Sequence, residues 1–341
     1  MHFDVAMPIA LFAVALVAML LEEKVGEKLK STLEKRELSV WDAILIVAAI
    51  SAMVFVVAWK GAGAMIMLMF LFSYSMLLFT FTYAFSNFSK IRAQIFCLTF
   101  VLASFTAAIA SLSNIGFEGA FVYGALCFFG LGFFALASLL HERYRKSMKE
   151  RWYLAILPPA FFVCIYLFFS GFLTGSMHPL WDPYLLDAFG IIFAVLIILY
   201  IGSLFTWKAT IVFAVLLTVV DIILVLVSGV MVSAAKQTYG LGLPVLIKLP
   251  VFPLVITEQG MQYMLLGLGD FFFTGLLAIQ THKRFGKRLG VFSVAAMAIS
   301  FFVFETFLLV YRLGPFPGTL MIICGWAPIV LFNSLKKVFF G

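Results

Sequence analysis

Charge is scarce in this chain. Of its 341 residues, 11% are Asp, Glu, Lys or Arg, while 64% are hydrophobic. A soluble domain carries about 25% charged residues, and a chain with less than half that share cannot cover its apolar bulk in water. The shortage excludes a soluble enzyme, a disordered protein and a nucleic-acid-binding module, although a net charge of +7 would by itself suit the last. Histidine is equally rare. His2, His141, His178 and His282 all stand near the chain start or in links between apolar runs. With no HExxH and no histidine inside an apolar run, neither a zinc-dependent intramembrane protease nor a Ser/His dyad is supported. The four cysteines, Cys97, Cys127, Cys164 and Cys324, lie singly in apolar stretches. That excludes a disulfide framework and a zinc site, and leaves them as small packing residues. No phosphate-cradling loop is present, and no metal or cofactor is expected.

What the chain has in abundance is apolar runs of membrane-crossing length, about 20 residues each. Eleven are read, at roughly 3–21, 41–59, 62–84, 93–113, 117–140, 153–173, 185–205, 209–233, 262–280, 290–311 and 315–334. The fold class is therefore all-α, a polytopic transmembrane helix bundle. The first run has no basic residue before it and passes straight into Glu22-Glu23-Lys24, so it reads as a retained span. The links Lys60–Gly61, Asn114–Gly116 and Trp207–Lys208 are tight, and none is long enough for a separate soluble domain. The Glu/Lys-rich link 22–40 reads as a short surface helix. Of the 23 Lys and Arg residues, 19 fall in links after odd-numbered spans or in the C-terminal tail, and 4 in the other links. Basic residues collect in cytoplasmic links, so the N-terminus is expected outside and the C-terminus in the cytoplasm of a multi-pass cell-membrane protein.

Against this background, an acid inside a span stands out. It costs roughly 2.5–3.5 kcal/mol at mid-membrane, which makes it a functional candidate by default. Asp42, Glu118, Asp182, Asp187 and Glu258 sit at span ends or in links, whereas Asp221, Asp270 and Glu305 do not. Glu305 has Arg312 seven residues on, the same helix face, and is expected to pair with it. Asp221 and Asp270 fall near the middles of consecutive antiparallel spans, at similar depth. Gly267 and Gly269 leave no bulk beside Asp270 and invite close helix approach. Two carboxyls facing each other in a low-dielectric site share a proton, so one serves as base and the other as acid. Such a pair can activate water toward a peptide carbonyl. By placement alone, the same two acids equally suit a proton- or cation-coupled transporter or channel.

The motifs separate these readings. Leu266-Gly267-Leu268-Gly269-Asp270 carries the GxGD signature of intramembrane aspartyl proteases. Val220-Asp221 stands where that family has Tyr-Asp. Val230-Met231-Val232-Ser233-Ala234-Ala235-Lys236 follows, then Ile247-Lys248-Leu249-Pro250 and Phe252-Pro253, all like the signal peptide peptidase branch. Pro317-Gly318-Thr319-Leu320 occupies the place of the family's Pro-Ala-Leu motif. The chain thus resembles the presenilin and signal peptide peptidase family over about residues 185–335. It departs from it in Val220 for Tyr and Gly-Thr for Ala-Leu. The resemblance implies a presenilin-like fold of nine core spans. Two extra spans follow by count, with residues 1–60 as an additional N-terminal transmembrane hairpin and 61–341 as the protease domain. It implies Asp221 and Asp270 as catalytic residues, with Gly267, Leu268, Gly269, Pro317, Gly318, Thr319 and Leu320 binding substrate or shaping the site. It implies intramembrane hydrolysis of transmembrane peptides, such as signal-peptide remnants, with the lipid bilayer as the other partner.

An unwound substrate helix needs new partners for its backbone, because lipid offers none. Two helix-breaking stretches are candidates for this, the Pro-rich segment 243–253 and the segment 314–318 that carries Pro315 and Pro317.

Overall fold

The computed structural model describes residues 3–32, 37–60, 63–87, 89–113, 120–144, 151–170, 177–253, 256–257 and 260–340. The link Asn114–Gly116, and the residues His2, Glu118 and Glu258, lie outside them. The helices are α1 (Ala6–Thr32), α2 (Val40–Lys60), α3 (Ala64–Ala84), α4 (Lys90–Ser113), α5 (Ala120–Tyr144) and α6 (Trp152–Phe169). A wide turn, Trp181–Leu185, leads into α7 (Leu186–Leu204), and α8 (Trp207–Ile222) runs on through a second one, Ile223–Val227, to α9 (Val230–Gly240). Four short strands follow, β1 (Leu246–Pro250), β2 (Ile256–Thr257), β3 (Gly260–Met261) and β4 (Tyr263–Gly267). The chain closes with α10 (Leu268–Phe285), α11 (Lys287–Tyr311) and α12 (Gly318–Phe340).

Ten of the described helices are long and apolar enough to cross a membrane. They match the expected runs except the ninth, α10, whose Asp270, His282, Lys283 and Arg284 dilute its hydropathy. Large apolar side chains such as Trp59, Met65 and Phe332 face outward, as a bundle solvated by lipid requires. Three expectations need correction. The run 262–280 is not helical throughout, because 263–267 is strand β4. The run 209–233 ends as a straight α-helix at Ile222. The link 22–40 is not a separate surface helix at its start, since α1 continues unbroken to Thr32.

The chain forms two compact units. The smaller holds residues 64–184 and 241–243. In it α4 and α5 form a tight antiparallel pair, while α6 packs on α3 and α5. Cys97 is buried in this core beside Ala93, Leu154 and Leu157, the apolar packing role its surroundings suggest. Arg151 and Glu142, both buried, pair at 3.0 Å, and Tyr153 donates its hydroxyl to the same carboxylate.

The larger unit holds residues 1–63, 185–240 and 244–341. Here, among the described residues, α1 and α2 pack mainly on other helices and not on each other as the hairpin expected of residues 1–60. Instead α1 packs on α7, α10 and α11, and α2 on α8 and α9. Hydropathy sets that a helix is buried in the membrane, not which neighbour it takes. Helix α10 is the hub of this unit. Gln280 donates its amide to the carbonyls of Gly202 and Phe205 at 3.2 and 2.7 Å, tying α10 to the end of α7. The Trp326 indole N–H donates to Thr281 Oγ1 at 2.8 Å, tying it to α12. Gly275 lets α7 approach, because a β-carbon there would lie 2.5 Å from Ile198 Cδ1. Gly275→Ala should therefore cost about 1–3 kcal/mol by overpacking. Thermal unfolding in detergent should show a lowered Tm, partly restored when Ile198→Ala makes room.

Candidate active site

The two aspartates reach their places by different local routes. Asp221 is carried on the last turn of α8, where the helix begins to widen into the Ile223–Val227 segment. Asp270 lies in the first turn of α10, where the positive end of the helix dipole favours an acid. Strand β4 delivers it. The strand pairs with β1 in antiparallel register from Leu246↔Gly267 to Pro250↔Tyr263, and Leu268 N–H donates to Val245 O at 3.0 Å. Strand β1 is fixed in turn to α7, since Asp187 Oδ1 accepts the Lys248 backbone N–H at 2.6 Å. Gly190 of α7 lets Ile247 pack close.

Helix α12 joins the two carboxyls. Its first residue, Gly318, lies against Asp270, and a β-carbon there would be 2.4 Å from Oδ1 and 2.9 Å from Oδ2. Its second, Thr319, donates its hydroxyl to Asp221 Oδ2 at 2.6 Å, with its backbone N–H 3.4 Å from the same oxygen. Consecutive residues at one helix start thus touch one aspartate each. The helices that carry them, α8, α10 and α12, pack pairwise on one another.

The other expected site residues divide. Pro317 and Thr319 are buried, and Leu320 is half-buried beside them. Leu268 is buried and lies toward Gly190 of α7. Gly267 caps α10 with Asp270 Oδ2 only 3.6 Å from its would-be β-carbon, a distance an alanine could occupy. Gly269 has nothing within 4 Å of that position. The close approach expected of Gly267 and Gly269 is therefore made by Gly318. Glu305 does not pair with Arg312. It is fully buried with neither carboxylate oxygen hydrogen-bonded among the described residues. Arg312 caps α11 in the left-handed conformation, φ 51°, and is exposed. Sequence reasoning missed Asp187 as the anchor of β1, and its one signal was an acid at a span's first turn.

A multi-span bundle holding two membrane-embedded carboxyls at one helix start has the architecture of an intramembrane aspartyl peptidase. The family model of signal peptide peptidase matches residues 40–314. The chain belongs to that family, and the matched stretch includes both aspartates. No curated protein matches the chain.

The Thr319 contact gives a direct prediction. Thr319→Val keeps the shape and removes the donor to Asp221, and should lower kcat about 10-fold, the size of effect expected when a buried carboxyl loses a hydrogen bond. Thr319→Ser should keep most activity. Gly318→Val, which drives a branched side chain into Asp270, should abolish it. Cleavage of a transmembrane peptide by each purified variant measures all three.

Proposed function

We propose that Asp221 and Asp270 are the catalytic pair of an aspartic endopeptidase that cuts transmembrane segments. The observation that carries this reading is the shared contact of the two carboxyls with Gly318 and Thr319, in a chain of the signal peptide peptidase family. Thr319 presents only donors to Asp221, which suits an ionised carboxylate. Asp221 is therefore assigned as base and Asp270 as proton carrier. Asp221 takes a proton from water as the water oxygen bonds to the scissile carbonyl carbon. Asp270 gives its proton to the amide nitrogen as the C–N bond breaks. The products are a free carboxyl and a free amine, and the pair still holds one proton between them.

The substrate must be extended at the cut, and the hairpin supports an edge for it. In an antiparallel ladder, residues alternate between facing the partner strand and facing away. Val251 N–H donates to Gln262 O and Leu268 N–H to Val245 O, both at 3.0 Å. With that phase, Tyr263, Leu265 and Gly267 turn their backbone groups away from β1. The outer edge of β1 is already engaged at Lys248 by Asp187. An unwound peptide adds to β4 as a further strand leading toward Asp270, with segment 243–253 holding β4 from the other side. Pro317 and Gly318 close the opposite side of the site.

The charge asymmetry of the links supports a cell-membrane protein with its N-terminus outside and C-terminus in the cytoplasm. Within the larger unit, Glu22 meets Lys283 and Glu23 meets His282, so the C-terminal parts of α1 and α10 lie together, which agrees with the alternation. In this orientation the fitting substrates are signal-peptide remnants and other segments with a cytoplasmic N-terminus. The nine-span core is inferred to include α1 and α2, which pack on the aspartate-bearing helices. The paired α4–α5 hairpin is then the addition.

Two experiments test the reading. Wild-type protein should cleave a transmembrane peptide in detergent or nanodiscs, and Asp221→Ala and Asp270→Ala should each abolish cleavage. Persistence in either variant, or ion flux without cleavage, would overturn the assignment. Leu265→Pro removes a donor from the outer edge of β4 without touching the β1 ladder, a position where proline is tolerated. It should raise KM several-fold while kcat falls less.

A further inference from the structure

We propose that α1 is a built-in clasp that holds the β1–β4 hairpin, and through it Asp270, in working position, with Asp4 as the positioning residue. This inference rests on the catalytic reading above. It concerns residues 1–39, which lie outside the family match.

Asp4 is completely buried at the start of α1. Its Oδ1 accepts the N–H of Ala6 at 3.0 Å and its Oδ2 that of Met7 at 3.2 Å, an N-terminal cap for the helix. The same Oδ1 accepts the N–H of Phe252 at 2.9 Å, and Val5 N–H returns a bond to Phe252 O at 3.0 Å. Two consecutive residues of the N-terminus therefore hold both backbone groups of Phe252. That residue lies two positions beyond β1, next to Val251, whose N–H closes the outer end of the ladder. Phe3 packs edge-on against Phe302 of α11, which fixes the entry of the chain.

Past its middle, α1 is held to the far end of α10. Glu22 Oε1 and Lys283 Nζ lie 2.7 Å apart, and Glu23 Oε1 and His282 Nε2 3.0 Å apart. Between these ends α1 lies along α10 and α7. Met19 reaches close enough that a β-carbon on Gly290 would meet its sulfur at 2.8 Å. Helix α1 is thus fixed to the Asp270 helix through Glu22 and Glu23 and, at its start, to the chain just beyond β1. Since β4 runs into α10 without a break, holding Phe252 holds the register of β1 on β4. A one-residue slip in that register moves the strand by about 3.4 Å and inverts which side chains face the core. A peptide added to β4 would be displaced by the same step, and the cut with it.

Asp4 is therefore expected to act on where the substrate is cut, and not only on how firmly the chain folds. The test uses the full chain with a transmembrane peptide, product masses, and amide hydrogen exchange of the protein alone. Asp4→Ala should speed exchange at Val251, Phe252 and Leu268 about tenfold or more and spread cleavage over neighbouring peptide bonds. Glu22→Gln, which loosens the opposite end of α1, should lower Tm with the product pattern unchanged. If Asp4→Ala gives too little folded protein, Val5→Pro removes one bond to Phe252 at a position where proline suits a helix start, and should give the same two changes at smaller size. Unchanged exchange and an unchanged product pattern in folded Asp4→Ala or Val5→Pro would overturn the clasp. A wild-type protein that cuts nothing would overturn the catalytic reading instead, while the exchange data still decide whether Asp4 holds the hairpin.

Discussion

Two acids that would each be costly in lipid are brought to the start of one helix, and the rest of the larger unit is arranged so that this can happen. The first turn of α12 supplies what the pair lacks. Gly318 gives Asp270 room for its carboxyl, and Thr319 gives Asp221 a hydroxyl and a nearby amide at the positive end of a helix. Among the described residues, the side-chain partner of Asp221 is Thr319, and no ion pair to either aspartate is seen. Opposing charge would fix both in the ionised form, whereas general acid–base work needs the two to differ. The Gly318-Thr319 pair has a physical reading here: the glycine leaves room for one carboxyl and the threonine supplies a hydrogen bond to the other.

The hairpin before α10 serves a second constraint. Catalysis on a transmembrane helix requires an edge that can take over the backbone hydrogen bonds the substrate gives up. A strand edge in an apolar setting is a liability unless it is short and held. Strands β1 and β4 are five residues each, and β1 is secured to α7 through Asp187 and to α1 through Asp4 and Phe252. Securing β1 on its outer side leaves β4 as the side on which a peptide can add. In this unit, the site depends on α1, α7, α8, α10 and α12, and α1 joins through its two ends.

Much of this was legible in the sequence because charge is so rare in it. Asp221 and Asp270 stand out from their spans without any structure, and the apolar runs give ten of the helices directly. The strand over 263–267 was not legible. The residues Tyr263-Met-Leu-Leu-Gly267 form an apolar run continuous with α10, and a short buried strand and a buried helix turn have the same hydropathy. The partnering of α1 and α2 was hidden for a related reason, since an all-apolar helix does not advertise which neighbour it takes. Glu305 shows the limit of spacing arguments. Arg312 is correctly placed for the same face of a continuing helix, but α11 ends there with a left-handed residue and the guanidinium is turned out. The role of Gly318 is tertiary, and no local pattern distinguishes it from Gly267 or Gly269.

The proposed chemistry requires the two side chains at positions 221 and 270 to meet across the α8–α10 contact. The most direct measurement is a disulfide-trapping experiment on a variant in which the four native cysteines are replaced and Asp221→Cys and Asp270→Cys are combined. With a protease site inserted between β2 and β3, mild oxidation should leave the two halves joined until a reductant is added. Failure to join, under conditions where a control pair across the α7–α10 contact, which also spans the cut, does join the halves, would contradict the shared site and the mechanism built on it.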